Sequence, residues 1–506
     1  MATITGTPGN DTLSSTAGGD ILYGDTDATI AAGHGGNDIL SSIHDNVQLF
    51  GDADIILGSG RGGNDVLDAT GSSSFLIGDA LHIRESGRGG NDTLIVTGGD
   101  NHLVGDAGSL LEGNGRGGND SLSAIGDGNR LRGDAGYLGD LNGTAGRGRG
   151  GNDTLYAEGD FNMLGGDAVI MDDETIGGND VLTATGTQNV LYGDALHSGS
   201  LDSGFMLGSA RGGNDTLHAE GSGNILVGDG YQMSNDTRGG NDVLSATGDS
   251  FALYGDGQFM SDNARGGNDK LSAVETGDGL TGLVGDAIEL HDFAIGGNDQ
   301  LSYQGVGDSL VGDGALSESA RGGNDTLLAT GDQNTLYGDG GVMSDTSRGG
   351  NDTLKVTSAA GESSTLYGDA LSMQGSAQGG ADTLIGGAGN DVIVGDAQIM
   401  SATALGGNDN LWGDAKGAGS GGNDTFVFAG AIGKDIVHDF RQADGDRIDL
   451  SAYDLFDDVN DLAITLAGSS TRIDIGASLG GPVNVNTITL QGFDDPLSNA
   501  DFIFAP

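Results

Sequence analysis

Apolar and polar residues alternate in short runs along most of the chain, as around Leu217 and Leu226. An alternation with a period of two predicts short β-strands that turn one face towards a core. Glycine-rich stretches between the runs predict tight turns, and no segment keeps a helical period over its length. The pattern therefore predicts an all-β protein.

The alternating runs belong to a repeated segment that returns in near-copies from residue 35 to residue 424. Its consensus reads RGGNDTLxATGDxNxLYGDA, followed by a loop of about seven residues, and the clearest copy is residues 321–347. The commonest step between copies is 27 residues, as from Asp38 to Asp65. Leucines occupy two fixed positions in the repeat. One lies two residues after the Asp of GGND: Leu40, Leu67, Leu94, Leu122, Leu155, Leu182 and Leu217. The other lies three residues before the Asp of LxGD: Leu49, Leu76, Leu103, Leu131, Leu164, Leu191 and Leu226.

One copy of the segment is too small to bury its own leucines, whereas stacked copies can bury them together. Each strand would then pair in parallel with its counterpart in the next coil. The sequence thus predicts a parallel β-roll or β-solenoid of ~27-residue coils with leucine ladders inside.

Two further columns are expected to be structural. Asparagines at one turn position are predicted to form a ladder of hydrogen bonds to backbone groups: Asn101, Asn129, Asn162, Asn189, Asn224 and Asn334. Six methionines share a position four residues after the Asp of LxGD: Met171, Met233, Met260, Met343, Met373 and Met400. Copper or haem binding is the alternative use of this column, but packing into irregular gaps is favoured.

Composition narrows the class of protein. The chain has 101 glycines and four prolines among 506 residues, and its formal net charge is -54. Such acidity usually means disorder or a solvated surface, but the regular spacing of apolar residues argues against disorder. The charge also disfavours a nucleic-acid partner, which would need a basic face, and it attracts hard cations.

Targeting and redox signals are absent from the sequence. The first residues, MATITGTPGNDTL, carry neither the basic nor the apolar segment of a signal peptide. No apolar stretch of ~18 residues could span a membrane. The chain has no cysteine, so disulfides and thiolate metal sites are excluded.

Aspartates at the corners of the coils are the candidate metal ligands. Stacking places equivalent carboxylates ~4.8 Å apart, where neighbours repel each other by about 1 kcal/mol even in water. Calcium suits such a column because it takes six to eight oxygen ligands in adaptable geometry, whereas zinc or copper would need His or Cys. The alternative is that these side chains only close turns with their own backbone.

The predicted metal ligands fall into two sets. The first set consists of the GGND aspartates and their counterparts at the two ends of the array: Asp11, Asp20, Asp38, Asp65, Asp92, Asp120, Asp153, Asp180, Asp215, Asp242, Asp269, Asp299, Asp325, Asp352, Asp382, Asp391, Asp409 and Asp424. The second set consists of the LxGD aspartates: Asp52, Asp79, Asp106, Asp134, Asp167, Asp194, Asp229, Asp256, Asp286, Asp313, Asp339, Asp369 and Asp396.

The two ends of the array show a shorter motif. Residues 6–25 (GTPGNDTLSSTAGGDILYGD) and 379–397 (GGADTLIGGAGNDVIVGDA) each hold two turns nine residues apart. These turns resemble the GGxGxDxUx nonapeptide of RTX proteins, and the resemblance implies a parallel β-roll with calcium in the turns. In the central coils one corner is shortened, as at residues 331–338, and the other is opened by a loop. Each central coil is therefore expected to keep one acidic corner and to have a metal-free corner opposite.

The last ~80 residues differ from the repeats. From Asp424 the chain reads DTFVFAGAIGKDIVHDFRQADGDRIDLSAYDLF, and it ends in DFIFAP. This resembles the C-terminal module of serralysin-type and other type I-secreted RTX proteins at Phe426, Phe428, Asp435, Asp439, Phe440, Asp449, Leu450 and residues 501–504. The resemblance implies an uncleaved export signal read by an ABC transporter. We expect a repeat array over residues 1–424 and this module over residues 425–506.

Arginines precede GGND in most copies: Arg61, Arg88, Arg116, Arg149, Arg211, Arg238, Arg265, Arg321 and Arg348. One interpretation of the column is a stripe that binds a ligand. The favoured interpretation is a ladder that pairs with acids of the loops, such as Asp236, Asp262 and Asp345. Exposed pairs of this kind would each contribute little to stability.

No enzymatic activity is expected, because HExxH is absent and the eight histidines are scattered among loops and turns. A site built by the loop insertions at residues 136–147 and 196–210 is the alternative. We expect a secreted calcium-binding structural protein, extracellular or at the cell surface, that folds in extracellular calcium. Head-to-tail contacts with other copies are expected to build a filament, a surface layer or a biofilm matrix. The alternative function is a calcium-dependent adhesin or glycan-binding module whose loops present Phe205, Tyr231, Phe259 and Phe293 to a surface glycan.

Overall fold

The computed structural model describes residues 1–139, 146–197, 203–277, 279, 281–417 and 421–506. The chain divides into two compact units, Met1–Asp269 and Lys270–Pro506. In each unit the short strands of successive coils pair in parallel into three sheets, named A, B and C. Equivalent residues of neighbouring coils are commonly 27 residues apart. The predicted parallel β-solenoid is therefore confirmed.

The three sheets of the first unit take one strand each from successive coils. Sheet A contains Thr3–Thr5, Ile21–Tyr23, Gln48–Phe50, Phe75–Ile77, His102–Val104, Arg130–Arg132, Met163–Gly165, Val190–Tyr192, Ile225–Val227 and Ala252–Tyr254. Sheet B contains Thr12–Ser14, Ile39–Ser42, Val66–Thr70, Thr93–Thr97, Ser121–Ile125, Thr154–Glu158, Val181–Thr185, Thr216–Ser222 and Val243–Asp249. Sheet C contains Thr29–His34, Ala53–Arg61, Ala80–Ile83, Ala107–Leu111, Ala135–Leu138, Ile170–Met171, Phe205–Met206, Gly230–Met233 and Gly257–Met260.

The second unit repeats the arrangement. Sheet A contains Gly282–Val284, Ser309–Val311, Thr335–Tyr337, Thr365–Tyr367, Val392–Val394, Thr425–Val427, Arg447–Asp449 and Phe502–Ile503. Sheet B contains Lys270–Glu275, Gln300–Gln304, Thr326–Thr330, Thr353–Thr357, Thr383–Ile385, Asn410–Trp412, Lys434–Val437, Ala463–Ala467, Ser470–Asp474 and Thr487–Leu490. Sheet C contains Glu289–Leu290, Ala315–Leu316, Gly340–Met343, Ala370–Met373 and Ala397–Met400.

The predicted leucine ladders form the core of the solenoid. In sheet B, Leu40 pairs with Leu67, which pairs with Leu94, and all three side chains are fully buried. In sheet A, Leu76 and Leu103 pair in the same way and are equally buried. Full burial of one leucine stabilises the fold by about 1.5–3 kcal/mol relative to exposure. Because like residues pair with like, every coil repeats the same backbone path and brings its corners into register.

The asparagine ladder is confirmed at the turn between sheets B and A, which we name the asparagine corner. The backbone N–H of Asn101 donates to Oδ1 of Asn129 at 2.9 Å, and that of Asn129 donates to Oδ1 of Asn162 at 2.8 Å. All three side chains are fully buried. The side-chain amide oxygen of each asparagine thus accepts a hydrogen bond from a backbone N–H that strand pairing leaves without a partner.

The methionine column packs inside sheet C, as predicted. Met171 pairs with Met206, Met206 with Met233, and Met233 with Met260, and all four are fully buried. Met206 escaped the sequence pattern because the longer loop of its coil moves it away from the fixed spacing.

The C-terminal region continues the solenoid before it departs from it. Thr425–Val427 pairs in parallel with Val392–Val394, and Arg447–Asp449 pairs with Thr425–Val427. The strands Ala463–Ala467, Ser470–Asp474 and Thr487–Leu490 are then antiparallel. This region also contains a short α-helix, Ile475–Ser478, and two 3-10 turns, Val459–Asp461 and Asn499–Asp501. The domain boundary between residues 424 and 425 stays a prediction. Among the described residues, no helix has the length and apolar character to cross a membrane.

Candidate metal centre

Two turns of each coil meet at one corner, which we name the aspartate corner. The Asp of LxGD follows a strand of sheet A, and the Asp of GGND precedes a strand of sheet B. The backbone N–H of Gly36 donates to Oδ2 of Asp25 at 2.9 Å, and that of Gly63 donates to Oδ2 of Asp52 at 2.8 Å. These bonds join the two turns, so the aspartates that flank each loop lie together, as the sequence predicted.

The GGND aspartates form a ladder along this corner. The backbone N–H of Asp11 donates to Oδ1 of Asp38, that of Asp38 to Oδ1 of Asp65, and that of Asp65 to Oδ1 of Asp92, at 2.6, 2.6 and 2.7 Å. The second oxygen, Oδ2, of Asp38, Asp65 and Asp92 is buried and accepts no hydrogen bond. A buried carboxylate oxygen without a donor is costly unless a cation meets it.

The two sets of aspartates form clusters of three carboxylates, and in three of the four clusters an LxGD carboxylate lies on each side of a GGND carboxylate. Within each cluster, one oxygen from each of the three carboxylates lies within 4.8 Å of the others. All members are buried. The clusters are Asp25–Asp38–Asp52, Asp52–Asp65–Asp79, Asp79–Asp92–Asp106 and Asp396–Asp409–Asp435. The first three clusters share Asp52 and Asp79, so these sites follow one another from coil to coil.

Each of the remaining predicted ligands of this corner makes one of these two kinds of hydrogen bond. The bond from a backbone N–H to the Oδ1 of a GGND aspartate is accepted also by Asp120, Asp153, Asp180, Asp215, Asp242, Asp269, Asp325, Asp352, Asp382 and Asp409. Asp299 donates its N–H to Asp325. The bond from a GGND glycine is accepted also by Asp79, Asp106, Asp134, Asp167, Asp194, Asp229, Asp256, Asp286, Asp313, Asp339, Asp369 and Asp396.

Burial raises the pKa of the carboxyl groups in the four clusters. Loss of hydration is the first cause for Asp38, whose pKa rises to about 6, and for Asp65, whose pKa rises to about 8. The pKa of Asp92 is raised well above its usual range by burial, and then by the charges of Asp79 and Asp120. A cation within ~4–6 Å would favour the ionised forms again. Without a cation, the aspartate corner is thus electrostatically unfavourable at neutral pH.

Glycines make room for oxygen atoms at the corner. A Cβ atom on Gly51 would lie 1.6 Å from the carbonyl oxygen of Gly78 and 2.1 Å from Oδ2 of Asp65. Backbone and carboxylate oxygens therefore converge where any other residue would place a side chain. Calcium sites combine these two kinds of oxygen in sets of six to eight ligands. The residues present therefore fit calcium, whereas zinc or copper sites normally use nitrogen or sulfur donors.

Three predicted ligands lie at the asparagine corner instead. Both carboxylate oxygens of Asp20 and of Asp391 accept backbone N–H groups, and Oδ1 of Asp424 accepts the N–H of Asp391. The pKa of Asp20 is lowered, first by the hydroxyl of Thr16 and then by backbone donors. These bonds close the turns by themselves, so calcium binding by Asp20, Asp391 and Asp424 stays a prediction. Asp11 accepts from the N–H and the hydroxyl of Thr7.

Sequence reasoning missed two members of the clusters. Asp25 belongs to the first cluster, and its LYGD sequence carried the LxGD signal. Asp435 belongs to the cluster with Asp396 and Asp409, but Lys434 stands before it where the motif has Asn. Its backbone contact shows the equivalence, because the N–H of Asp409 donates to Oδ1 of Asp435 at 3.0 Å.

The fold and this corner define a parallel β-solenoid with oxygen-only candidate cation sites, which are stacked in the first unit and present also in the second. A family model of the RTX calcium-binding nonapeptide repeat (4 copies) matches residues 5–40, 86–109, 147–164, 319–342 and 376–398. The chain therefore carries RTX hemolysin-type calcium-binding repeats, and Ca2+ is the cofactor that the repeats and the aspartate clusters indicate. Comparison with curated proteins finds no match to the chain.

Proposed function

We propose that this protein is a secreted calcium-binding structural protein whose solenoid folds when it meets extracellular calcium. The observation that carries the proposal is the series of buried aspartate clusters, with carboxylate oxygens within 4.8 Å of one another. Without counter-charge the clusters oppose folding, because each carboxylate loses hydration and meets its neighbours' charge. The clusters form only when coils stack, so the free energy of calcium binding becomes free energy of folding.

Secretion into a calcium-rich medium accounts for an unfolded chain before export and a folded chain after it. RTX repeat proteins are typically extracellular or secreted. Extracellular calcium-binding modules work at dissociation constants of about 10⁻⁴–10⁻³ M, which would leave the sites empty in the cytosol. The chain would then stay unfolded and competent for export. We propose export by a type I ABC transporter, which the resemblance of residues 425–506 to type I-secreted RTX proteins supports.

A calcium titration tests the proposal directly. Far-UV circular dichroism should show β-structure appearing as calcium rises, and EGTA should remove it. Magnesium at the same concentration is the control, because its small octahedral shell suits a large oxygen set poorly. A spectrum that is the same in calcium and in EGTA would refute calcium-linked folding.

Head-to-tail assembly into a filament, layer or matrix stays a prediction. Sedimentation velocity and negative-stain electron microscopy in calcium would test it, and strictly monomeric protein would exclude it. RTX repeat solenoids are typically structural. The expectation of no enzymatic activity also stays a prediction, and the loop insertions at residues 136–147 and 196–210 lie partly outside the described residues.

One observation favours the adhesin or glycan-binding alternative. His197 stacks on Tyr231 with ring centroids 4.2 Å apart, and Tyr231 meets Phe259 edge-on at 5.5 Å. The sequence places these residues on different coils, which counted against a shared site, but stacking of coils brings them together. Loss of binding on a glycan array in Tyr231→Ala, with the calcium-induced spectrum unchanged, would support this function.

A further inference from the structure

Exposed arginines form a continuous column beside the aspartate corner of the first unit. Parallel backbone bridges join neighbouring members, and Ile176 follows the last of them. Each coil contributes one positive charge, at the ~4.8 Å spacing of paired strands. The members are Arg61, Arg88, Arg116 and Arg149, all of them exposed.

Two described loop acids of this unit pair with arginines outside the column. Glu112 pairs with Arg84 at 3.3 Å, and Glu174 pairs with Arg147 at 2.9 Å. In residues 1–139, 146–197 and 203–269, no arginine of the column has a carboxylate oxygen within 4.0 Å. Between described residues, the predicted pairing of the column with loop acids is therefore not found. The physical reason is that the loops bond to each other, as where the side-chain amide of Asn263 donates to Asp236 at 3.1 Å.

A second exposed column, the asparagines of GGND, runs parallel to the arginines. The Oδ1 of Asn64 accepts the N–H of Asn91 at 2.7 Å, and Oδ1 of Asn91 accepts the N–H of Asn119 at 2.7 Å. With Oδ1 held by the backbone, the NH2 groups of Asn64 and Asn91 are the polar atoms left for a ligand. Both columns thus present hydrogen-bond donors.

A groove of about 340 Å³ lies between the two columns. Its floor is made of glycines, such as Gly89 and Gly90, and His34 lies at one end. A floor without side chains lets a flat ligand approach the backbone closely. None of the described residues that line the groove carries a carboxylate. We name it the arginine–asparagine groove.

We propose that the arginine–asparagine groove binds a linear acidic polysaccharide. Guanidinium groups bind carboxylates and sulfates in a bidentate manner, so the column suits a regular series of such groups. A polysaccharide with one anionic group on each sugar repeats its charge on a length scale close to that of the strands. Its hydroxyl oxygens would accept from the asparagine NH2 groups on the other wall.

The lining of the groove argues against single-stranded nucleic acid. Proteins that bind single strands stack bases on aromatic side chains as well as neutralising phosphates. Among the described lining residues, the only ring is the imidazole of His34. The overall charge of -54 repels any polyanion at long range. Physiological salt screens that repulsion beyond ~8 Å, whereas contacts inside the groove persist.

The binding test uses the full chain in saturating calcium, since the groove rests on the proposed calcium-linked folding. The probe is chondroitin sulfate, which carries a carboxylate or a sulfate on each sugar, with dextran and poly(dT) as comparisons. The groove variant is Arg61→Gln/Arg88→Gln/Arg116→Gln. The matched control, Arg84→Gln/Arg130→Gln/Arg147→Gln, removes the same charge from the same unit outside the groove. Calorimetry gives the affinity, and circular dichroism of the same samples reports the fold.

We expect the unsubstituted chain and the control variant to bind chondroitin sulfate alike, and the groove variant to lose about tenfold in affinity. The salt dependence of binding should also flatten in the groove variant, because fewer ions are displaced. Equal losses in the two variants, equal binding of dextran, or tighter binding of poly(dT) would overturn the proposal. If the chain folds in calcium but binds no chondroitin sulfate, the groove proposal is overturned and the proposed function is not. A chain that stays unfolded in calcium would overturn the proposed function as well.

Discussion

The backbone N–H of Asp65 donates a 2.7 Å hydrogen bond to Oδ1 of Asp92, one coil further along the first unit. Oδ2 of Asp92 then remains buried beside the carboxylates of Asp79 and Asp106. One carboxylate therefore closes the turn of the preceding coil and also offers an oxygen to a cation. Folding and metal binding are coupled through the same side chain, and the predictions below follow from that coupling.

Removal of one ligand should weaken calcium binding without breaking the ladder. Asp92→Asn keeps the Oδ1 acceptor but replaces Oδ2 with a donor that a cation repels. We expect the calcium affinity of its cluster to fall about tenfold, which corresponds to about 1.4 kcal/mol. Calorimetric titration measures the change. The control is Asp68→Asn on the exposed face of sheet B, and equal affinities of the two variants would contradict the assignment.

The same substitution should have the opposite effect in chelator. Asp92→Asn removes a buried charge whose pKa is raised by burial and by Asp79, so the metal-free coil loses part of its repulsion. We expect the variant to keep more β-structure in EGTA than the unsubstituted chain, as measured by far-UV circular dichroism. No gain of β-structure in EGTA would contradict the repulsion assigned to this side chain.

A side chain at a corner glycine should displace the oxygen atoms there. In Gly51→Ala, the added Cβ would lie 1.6 Å from the carbonyl oxygen of Gly78 and 2.1 Å from Oδ2 of Asp65. Overpacking of this kind costs about 1–3 kcal/mol. We expect a higher calcium concentration at the folding midpoint, followed by circular dichroism. Gly9→Ala is the control, because no atom lies within 4 Å of its added Cβ, and the prediction fails if both variants fold alike.

In the central coils, the asparagine corner should contribute stability without binding metal. Asn162 accepts the N–H of Asn129 at 2.8 Å and is fully buried. Asn162→Leu would leave that donor unsatisfied, at a cost of about 1–3 kcal/mol. Urea unfolding in saturating calcium should show this loss, whereas Thr154→Ala, on an exposed position of sheet B, should change little. Unchanged stability in Asn162→Leu would mean that water replaces the amide.

Acid should partly replace calcium in the metal-free protein. The pKa of Asp38 rises to about 6 and that of Asp65 to about 8 on folding, first because of burial. A carboxyl whose pKa rises on folding stabilises the fold fully below its unfolded value of about 3.9. That stability is lost as the pH rises through the folded pKa, here between about 4 and 8.

The pH prediction is measured by circular dichroism of chelator-treated protein. We expect more β-structure at pH 5 than at pH 8 without calcium. With saturating calcium the difference should vanish or reverse, because the metal needs deprotonated carboxylates. Equal β content at both pH values in the absence of calcium would contradict the buried, protonated corner.

Several elements followed from the sequence because each repeats in every coil. The period of two around Leu67 and Leu94 indicated strands, and their equal places in the repeat gave the parallel register that pairs them. The buried asparagine ladder at Asn129 and the meeting of Asp52 with Asp65 followed in the same way. When a coil packs on its own copy, the partner of each residue is its equivalent one repeat away.

The tertiary structure decided the contacts that join different positions of the repeat. The motif could not show that Oδ1 of Asp92 serves the backbone while Oδ2 is left for a cation, or that Asp435 completes a cluster. It also suggested acids as partners of the arginines, whereas Glu174 pairs with Arg147 outside the column. Such contacts depend on loop length and side-chain direction, which vary between coils. The sequence by itself therefore determined what repeats, and folding in three dimensions determined which unlike side chains meet.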